Sequence, residues 1–426
     1  MKRYPSYKPS GVQWLGEIPS HWEMKRWRFL MSENTTKNSN CKERLQLQFR
    51  YGDIVRKANQ SEESDVLDTI SKYTVVEPDD IMINGLNLNY DFISQRVAQV
   101  QERGVITSAY ISLRPTKIAN SRYFTYFLKS MDAKKMFHGM GTGIRLTLSY
   151  NELKNQFIPC PSPDEQSAIA SYLDTATAKI DAAIAQQQKM IDLLNERKQI
   201  IINRAVTKGL NPNAKMKDSG VEWIGEVPEH WEISQLKKVA KIILGKMLSR
   251  EQGNLSPYIC AKDVHYGSID VSDLKVMHFT DHEKNIYEVK KGDMLIVEGG
   301  AGAGGCAIYN GDERGIYIQN SIMIVRGNTD TLNSYICYTI QSMNQRGYVE
   351  YICNKATIPH FTKEKVGTVT IPIPPIEEQR AIVDCIVESI KPIDNNIGIC
   401  NKQISLLQER KQIIINEVVT GKVKVG

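Results

Sequence analysis

Ser10-Gly11-Val12-Gln13-Trp14-Leu15-Gly16-Glu17-Ile18-Pro19-Ser20-His21-Trp22-Glu23 returns 209 residues later as Ser219-Gly220-Val221-Glu222-Trp223-Ile224-Gly225-Glu226-Val227-Pro228-Glu229-His230-Trp231-Glu232, with ten of fourteen positions identical. Self-similarity at one fixed period decides how the rest of the chain is read. A second block recurs at an offset of 213: Glu165-Gln166, Ala168-Ile169, Ile180-Asp181, Leu193-Leu194 and Glu196 to Asn203 match Glu378-Gln379, Ala381-Ile382, Ile393-Asp394, Leu406-Leu407 and Glu409 to Asn416. The offsets place one duplication across the whole chain. Each half is a globular segment followed by a helical one.

The helical segments start after proline-rich strand exits, Ile158-Pro159-Cys160-Pro161 and Ile371-Pro372-Ile373-Pro374. Asp164-Glu165 and Glu377-Glu378 follow, and acidic residues are favourable at a helix N-terminus. Pro392 is expected to break the second copy into a short helix and a long one. Seam positions then step by four and three. The first copy reads Ile180, Ile184, Gln187, Ile191, Leu194, Lys198, Ile201, Ala205; the second reads Ile393, Ile397, Cys400, Ile404, Leu407, Lys411, Ile414, Val418. A seam held over about four heptads in both copies favours two helices packing on each other. Because each follows a similar domain, a pseudo-two-fold arrangement would make the pair antiparallel.

Between the repeats, residues 24–157 and 233–370 read as mixed and β-rich. Asp80-Ile81-Met82-Ile83 and Asp293-Met294-Leu295-Ile296-Val297 alternate with Gly, Asn and Asp turns. Glu102-Arg103-Gly104-Val105 echoes Glu313-Arg314-Gly315-Ile316, but most other positions differ. Similar frames with different fillings suggest one task performed on two targets.

At 426 residues and 48.3 kDa the chain is too long for one ordinary core. A hydrophobic share of 41% with 24% charged residues excludes a disordered or collagen-like chain. No run approaches the ~20 apolar residues of a membrane span, and Met1 to Tyr7 leads to no secretory apolar region. Eight scattered cysteines, from Cys41 to Cys400, read as reduced thiols in a cytoplasmic protein. A net charge of +6 is compatible with nucleic acid without demanding it.

Catalytic motifs fail one by one. Gly299 to Gly305 contains the GxGxxG spacing, but Cys306 to Asp312 reads as strand and turn where a phosphate site needs a helix. Pro163-Asp164 with Glu196-Arg197-Lys198 imitates a nuclease pattern across about thirty helical residues, tens of ångströms at ~1.5 Å each. His278 and His282 stand four apart with no third metal ligand nearby. Asn211-Pro212-Asn213 reads as a linker turn, and no serine or cysteine nucleophile sits in a recognisable motif. Trp14, Trp22, Trp223 and Trp231 stand at the starts of the two repeats, where packing explains them better than base stacking. Direct base readout uses Arg or Lys on guanine and Asn or Gln on adenine. Candidates in the dissimilar regions are Asn84, Asn87, Asn89, Arg96 and Arg145, then Gln319, Asn320, Lys355 and His360.

With the paired tryptophan motifs, the Pro-x-Pro-x-x-Glu-Gln entries and the Glu-Arg-Lys-Gln-Ile-Ile-Ile-Asn helix ends in view, the chain resembles the specificity subunits of type I restriction–modification enzymes over nearly its whole length. The resemblance implies an α+β fold class. Two mixed, β-rich target recognition domains, residues 1–160 and 214–373, alternate with helical regions 161–213 and 374–426. The long helices of those regions pair as an antiparallel coiled coil, with Ile184, Ile191, Leu194, Ile201, Ile397, Ile404, Leu407 and Ile414 in the seam. It further implies a non-catalytic subunit whose recognition domains each read half of a bipartite site in double-stranded DNA. Two methyltransferase subunits would dock on the helices and methylate adenine at N6, and motor–nuclease subunits could join. S-adenosylmethionine, ATP and Mg²⁺ would belong to those partners, with no cofactor on this chain. Ile358-Pro359-His360-Phe361 fits the family pattern late in a recognition domain, whereas Ile144-Arg145-Leu146-Thr147-Leu148 lacks the proline. The alternative is a DNA-binding regulator with no enzyme partners.

Overall fold

The computed structural model describes residues 2–50, 52–58, 64–247, 253–300, 302–353 and 360–425. The chain forms two compact units: Met1–Gln188 with Asn401–Gly426, and Lys189–Cys400.

In the first unit, a four-stranded antiparallel sheet runs in the order Met31–Glu33, Ile111–Pro115, Ile81–Ile83, Val97–Gln99. The second unit builds the same order from Ala240–Leu244, Ile322–Gly327, Met294–Val297 and Cys306–Ile308. The central strands are buried on both faces, which explains the continuous apolar runs in the sequence. The aspartate before each run faces an arginine on the neighbouring strand. Buried Asp80 takes Nε and Nη2 of Arg114, both at 2.8 Å. Buried Asp293 takes the same atoms of Arg326, at 2.7 and 2.6 Å. Such two-pronged pairing fixes the strand register as well as neutralising the carboxylate. Around this shared sheet the units diverge. The first adds a hairpin, Leu47–Arg50 with Asp53–Arg56; the second adds a three-stranded sheet of Lys275–Phe279, Asn254–Ile259 and Tyr317–Ile318.

The tryptophan motif that opens each repeat is a packing element in both copies. Trp22 and Trp231 are fully buried, Trp223 nearly so, and Trp14 lies half-buried against Phe127 with the Lys134 ammonium over its ring. His21 Nε2 meets Glu165 at 3.0 Å, and His230 Nε2 meets Glu378 at 2.8 Å. The glutamine beside each glutamate is fully buried and closes the corner where sheet passes into helix. Gln166 accepts from the Asn120 N–H at 2.8 Å and donates to the carbonyls of Pro161 and Ile118. Gln379 accepts from the Leu332 N–H at 2.9 Å and donates to the carbonyls of Pro374 and Asp330.

Two long helices follow, Pro163–Lys208 and Ile376–Val419. In the first unit Lys411 Nζ reaches Asp181 at 2.7 Å, while Ile169, Ala170 and Leu173 share a core with Ile415, Val418 and Val419. In the second unit Lys198 Nζ reaches Asp394 at 2.7 Å, while Ile202, Ala205 and Val206 share a core with Ile382 and Ile386. Later residues of one helix thus meet earlier residues of the other, so the pair is antiparallel in each unit. The expected break at Pro392 does not occur, since the helix runs unbroken from Ile376 to Val419. Proline leaves the carbonyl four residues earlier without its donor. Glu388 and Pro392 both lie on the exposed face of the helix, so the group without a donor is not in the core.

Both helix ends that carry the Glu-Arg-Lys-Gln-Ile-Ile-Ile-Asn motif bind residues of the opposite repeat. Asn203 accepts from Ser342 Oγ at 3.0 Å, and Tyr335 donates to the Val206 carbonyl. Asn416 accepts from Ser130 Oγ at 2.9 Å, and Tyr123 donates to the Val419 carbonyl. Each compact unit is therefore completed by a helix end that belongs, by sequence, to the other half. Compactness divides the chain inside the two long helices.

Candidate nucleic-acid interface

The described candidate residues of each unit lie in loops at one end of its four-stranded sheet. In the first unit the segment after Ile83 meets the segment before Tyr150. Leu148 N–H donates to the Gly85 carbonyl at 2.9 Å and Leu88 N–H to the Leu146 carbonyl at 3.1 Å. A Cβ on Gly85 would lie 2.5 Å from the Leu148 carbonyl oxygen, so this approach requires glycine. In the second unit Phe361 N–H donates to the Glu298 carbonyl at 2.7 Å. That bond aligns Leu148 with Phe361 and Thr147 with His360, at the same offset of 213 as the helices.

The first unit gathers all five of its candidates in this loop pair. Asn87 and Arg145 are exposed, Asn84 is half-buried, and Asn89 reaches the Ile144 carbonyl at 3.4 Å. Arg96 is different: only 1% exposed, it faces inward. Its guanidinium donates to the carbonyls of Asn84, Leu86 and Asp91 at 3.1, 2.8 and 2.7 Å, and more weakly to Asn87. Arg96 therefore shapes the loop that carries the other candidates. The Asp91 carboxylate, accepting from the N–H groups of Ser94 and Ile93, is held down to about 2.

The second unit's candidates are also partly committed. Gln319 donates to Asn320 and accepts from Ser321 within one turn. Exposed His360 bridges Gly299, and a Cβ there would lie 2.9 Å from His360 Nδ1. Lys355 lies outside the described residues. Glu298 was missed by reading residue types: it joins the Ser321 turn to the His360 segment through its backbone, with Glu298 N–H on the Ser321 carbonyl at 2.8 Å. Burial raises its carboxyl, against a smaller lowering by His360. Only its position at the end of the central strand, one residue before the glycines, could have marked it.

The remaining motifs resolve structurally. The glycine run turns a hairpin, with Val297 N–H on the Gly305 carbonyl, and strand Cys306–Ile308 follows it. His278 lies on a strand with Nδ1 at 2.8 Å from the Gly253 carbonyl, while His282 lies on the next helix. Among the described residues no cluster of His, Cys, Asp and Glu has the arrangement of a metal site. A cavity of about 720 Å³ in the second unit, lined by Lys198, Tyr338, Gln341, Val387 and Asp394, contains no nucleophile paired with a base. The geometry presents polar and apolar loop tips on rigid sheets.

The family model for the type I restriction modification DNA specificity domain matches residues 58–191 and 228–409. The specificity subunit of the type I restriction enzyme MjaVIII from Methanocaldococcus jannaschii is 26% identical over 367 residues, 83% of this chain and 81% of that one. The specificity subunit of the Escherichia coli type I restriction enzyme EcoKI is 22% identical over 285 residues, 64% of this chain and 59% of that one. A solved chain from a study of complex assembly and conformational transition in a type I R-M system shares the fold. Its TM-score is 0.68 at 16% identity, covering 95% of this chain and 99% of that one.

Proposed function

This chain belongs to the type I restriction–modification DNA specificity family, and we propose that each of its units reads one half of a bipartite site in double-stranded DNA. The observation that carries this reading is the duplicated sheet, which keeps its strand order while its end loops differ. A shared frame holds each loop set in place, and the loop chemistry selects the bases. One module's interface supports only a few base-specific contacts, so two modules on one chain multiply specificity.

The long helices support docking of methyltransferase subunits. Leu193 and Ile200 are 50% and 59% exposed, and their repeat counterparts Leu406 and Ile413 are 54% and 48% exposed. Each lies one or two positions off the seam, on the outward side of its helix, at a spacing of seven. Repeated apolar residues facing outward on a helix suit a partner helix. In this reading adenine methylation, S-adenosylmethionine, ATP and Mg²⁺ belong to partner subunits, including any motor–nuclease that joins, and the chain works in the cytoplasm. Among the described residues no helix is long and apolar enough to cross a membrane.

Purification of the chain from its host, followed by methylome sequencing with and without its gene, tests the proposal. A methyltransferase should co-purify, and one bipartite adenine-methylated motif should vanish on deletion. A regulator without enzyme partners would leave the methylome unchanged.

A further inference from the structure

Two aliphatic side chains of the first unit stand almost wholly in solvent: Ile93 is 95% exposed and Ile144 96%. Tyr90, nearby in sequence, is 75% exposed. Scattered apolar residues on a surface need no explanation, but these sit on a braced scaffold. The inward Arg96 guanidinium ties down the carbonyls from Asn84 to Asp91, and the Asp91 carboxylate takes the N–H of Ile93 itself at 3.0 Å. His138 Nε2 lies 3.2 Å from the Asp91 carbonyl, and its ring stacks on Phe92 at 4.7 Å. The partner segment is fixed through Leu146 and Leu148, and Asn89 binds the Ile144 carbonyl. Asn87 and Leu146 hold left-handed conformations, φ 51° and 40°, that side-chain-bearing residues rarely adopt. A slack loop would relax both features. This one holds them.

We propose that Ile93 and Ile144 form a wedge that enters a base-pair step of the half-site read by the first unit, unstacking it and bending the duplex. The proposal rests on the DNA-reading function above and adds a distortion to it. Aliphatic side chains inserted at flexible steps are an established way to kink DNA, and flanking cations and amides hold the adjoining backbone. Exposed Arg145 and Asn87 supply that flank here. The backbone that carries both side chains is braced by these hydrogen bonds before binding, so little loop ordering opposes insertion. In the second unit the turn from Glu298 to Gly305 occupies the corresponding place and carries glycines at the described positions 299, 300, 302, 304 and 305. The distortion therefore belongs to one half-site.

The test uses the complex as purified from its host and a duplex carrying the methylome-mapped site, with 2-aminopurine substituted at each position in turn. Wild type should brighten severalfold at one step of a single half-site, away from the methylated adenine. Ile93→Ser with Ile144→Ser should abolish that signal and weaken binding about tenfold, with unaltered melting. Wild type that binds without such brightening, or a double variant that brightens equally, overturns the wedge. So does a double variant that binds normally but loses its methyltransferase, which would assign the tip to a protein contact. Failure of the DNA-reading function looks different: wild type would then bind mapped and scrambled duplexes alike.

Discussion

Gln166 and Gln379 satisfy the same three backbone groups in the two units and are fully buried while doing so. Leucine fits the volume of glutamine but offers no partner. Gln166→Leu should cost about 3 kcal/mol or more, because each buried group left unpaired costs about 1–3 kcal/mol. Urea denaturation should show Gln379→Leu to be equally harmful. Asp91 gives a pH prediction. Its folded carboxyl sits at about 2, below the ordinary 3.8, because loop N–H groups bind the charged form. Its stabilisation is therefore complete above roughly pH 4 and is lost as the pH falls through about 2. A carboxyl ¹³C titration should show Asp91 still ionised at pH 3. At this scale the sequence was only partly legible. The Glu-Gln pairs stood out by repetition, yet repetition does not say which carbonyls a glutamine binds. Arg96 was grouped with base readers because an arginine in a polar loop is ordinarily solvated. Only the carbonyls that the loop turns inward make its burial affordable.

Leu193 and Leu194 are neighbours that differ in exposure. Leu194 is half-buried on the seam, and Leu193 is 50% exposed on the outer side. Leu194→Asp places a charge on the half-buried face of the helix and should destabilise the chain by about 2–3 kcal/mol. Leu193→Ser should leave calorimetric melting unchanged and reduce methyltransferase recovery in pull-downs. The helices also carry a length prediction. If they set the distance between half-sites, four residues inserted after Gln188 add ~6 Å of rise. The methylated motif should then gain one or two unspecified base pairs at ~3.4 Å each, with both half-sites unchanged. An unaltered spacer from an active complex would show that the helices do not measure it. The helices and their facing direction were legible because a heptad pattern is local and appears twice. The course through Pro392 was not, since whether proline stops a helix depends on solvent access to one carbonyl and on tertiary packing at both ends.

Across the whole molecule, the repeat offsets revealed two halves but not how they close. An offset is a periodicity along the chain, and it is silent about which copy of a segment completes which core. Replacing residues 24–157 with those of a relative should change one half-site of the methylated motif and leave the other intact. Methylome sequencing of the chimera reads this directly, and a change in both half-sites would refute separate reading. The borrowed helix ends also bear on synthesis. Residues 189–400 form a contiguous unit and can fold as soon as they leave the ribosome. The earlier unit, Met1–Gln188, must wait for 401–426, because Ile415, Val418 and Val419 lie in one core with Tyr123 and Phe127. At ~5–20 residues per second, that wait lasts roughly ten to forty seconds. Domains ordinarily fold in order from the N-terminus; here the earlier-made module is finished after the later one, and until residues 401–426 are made it stays exposed to proteases and chaperones.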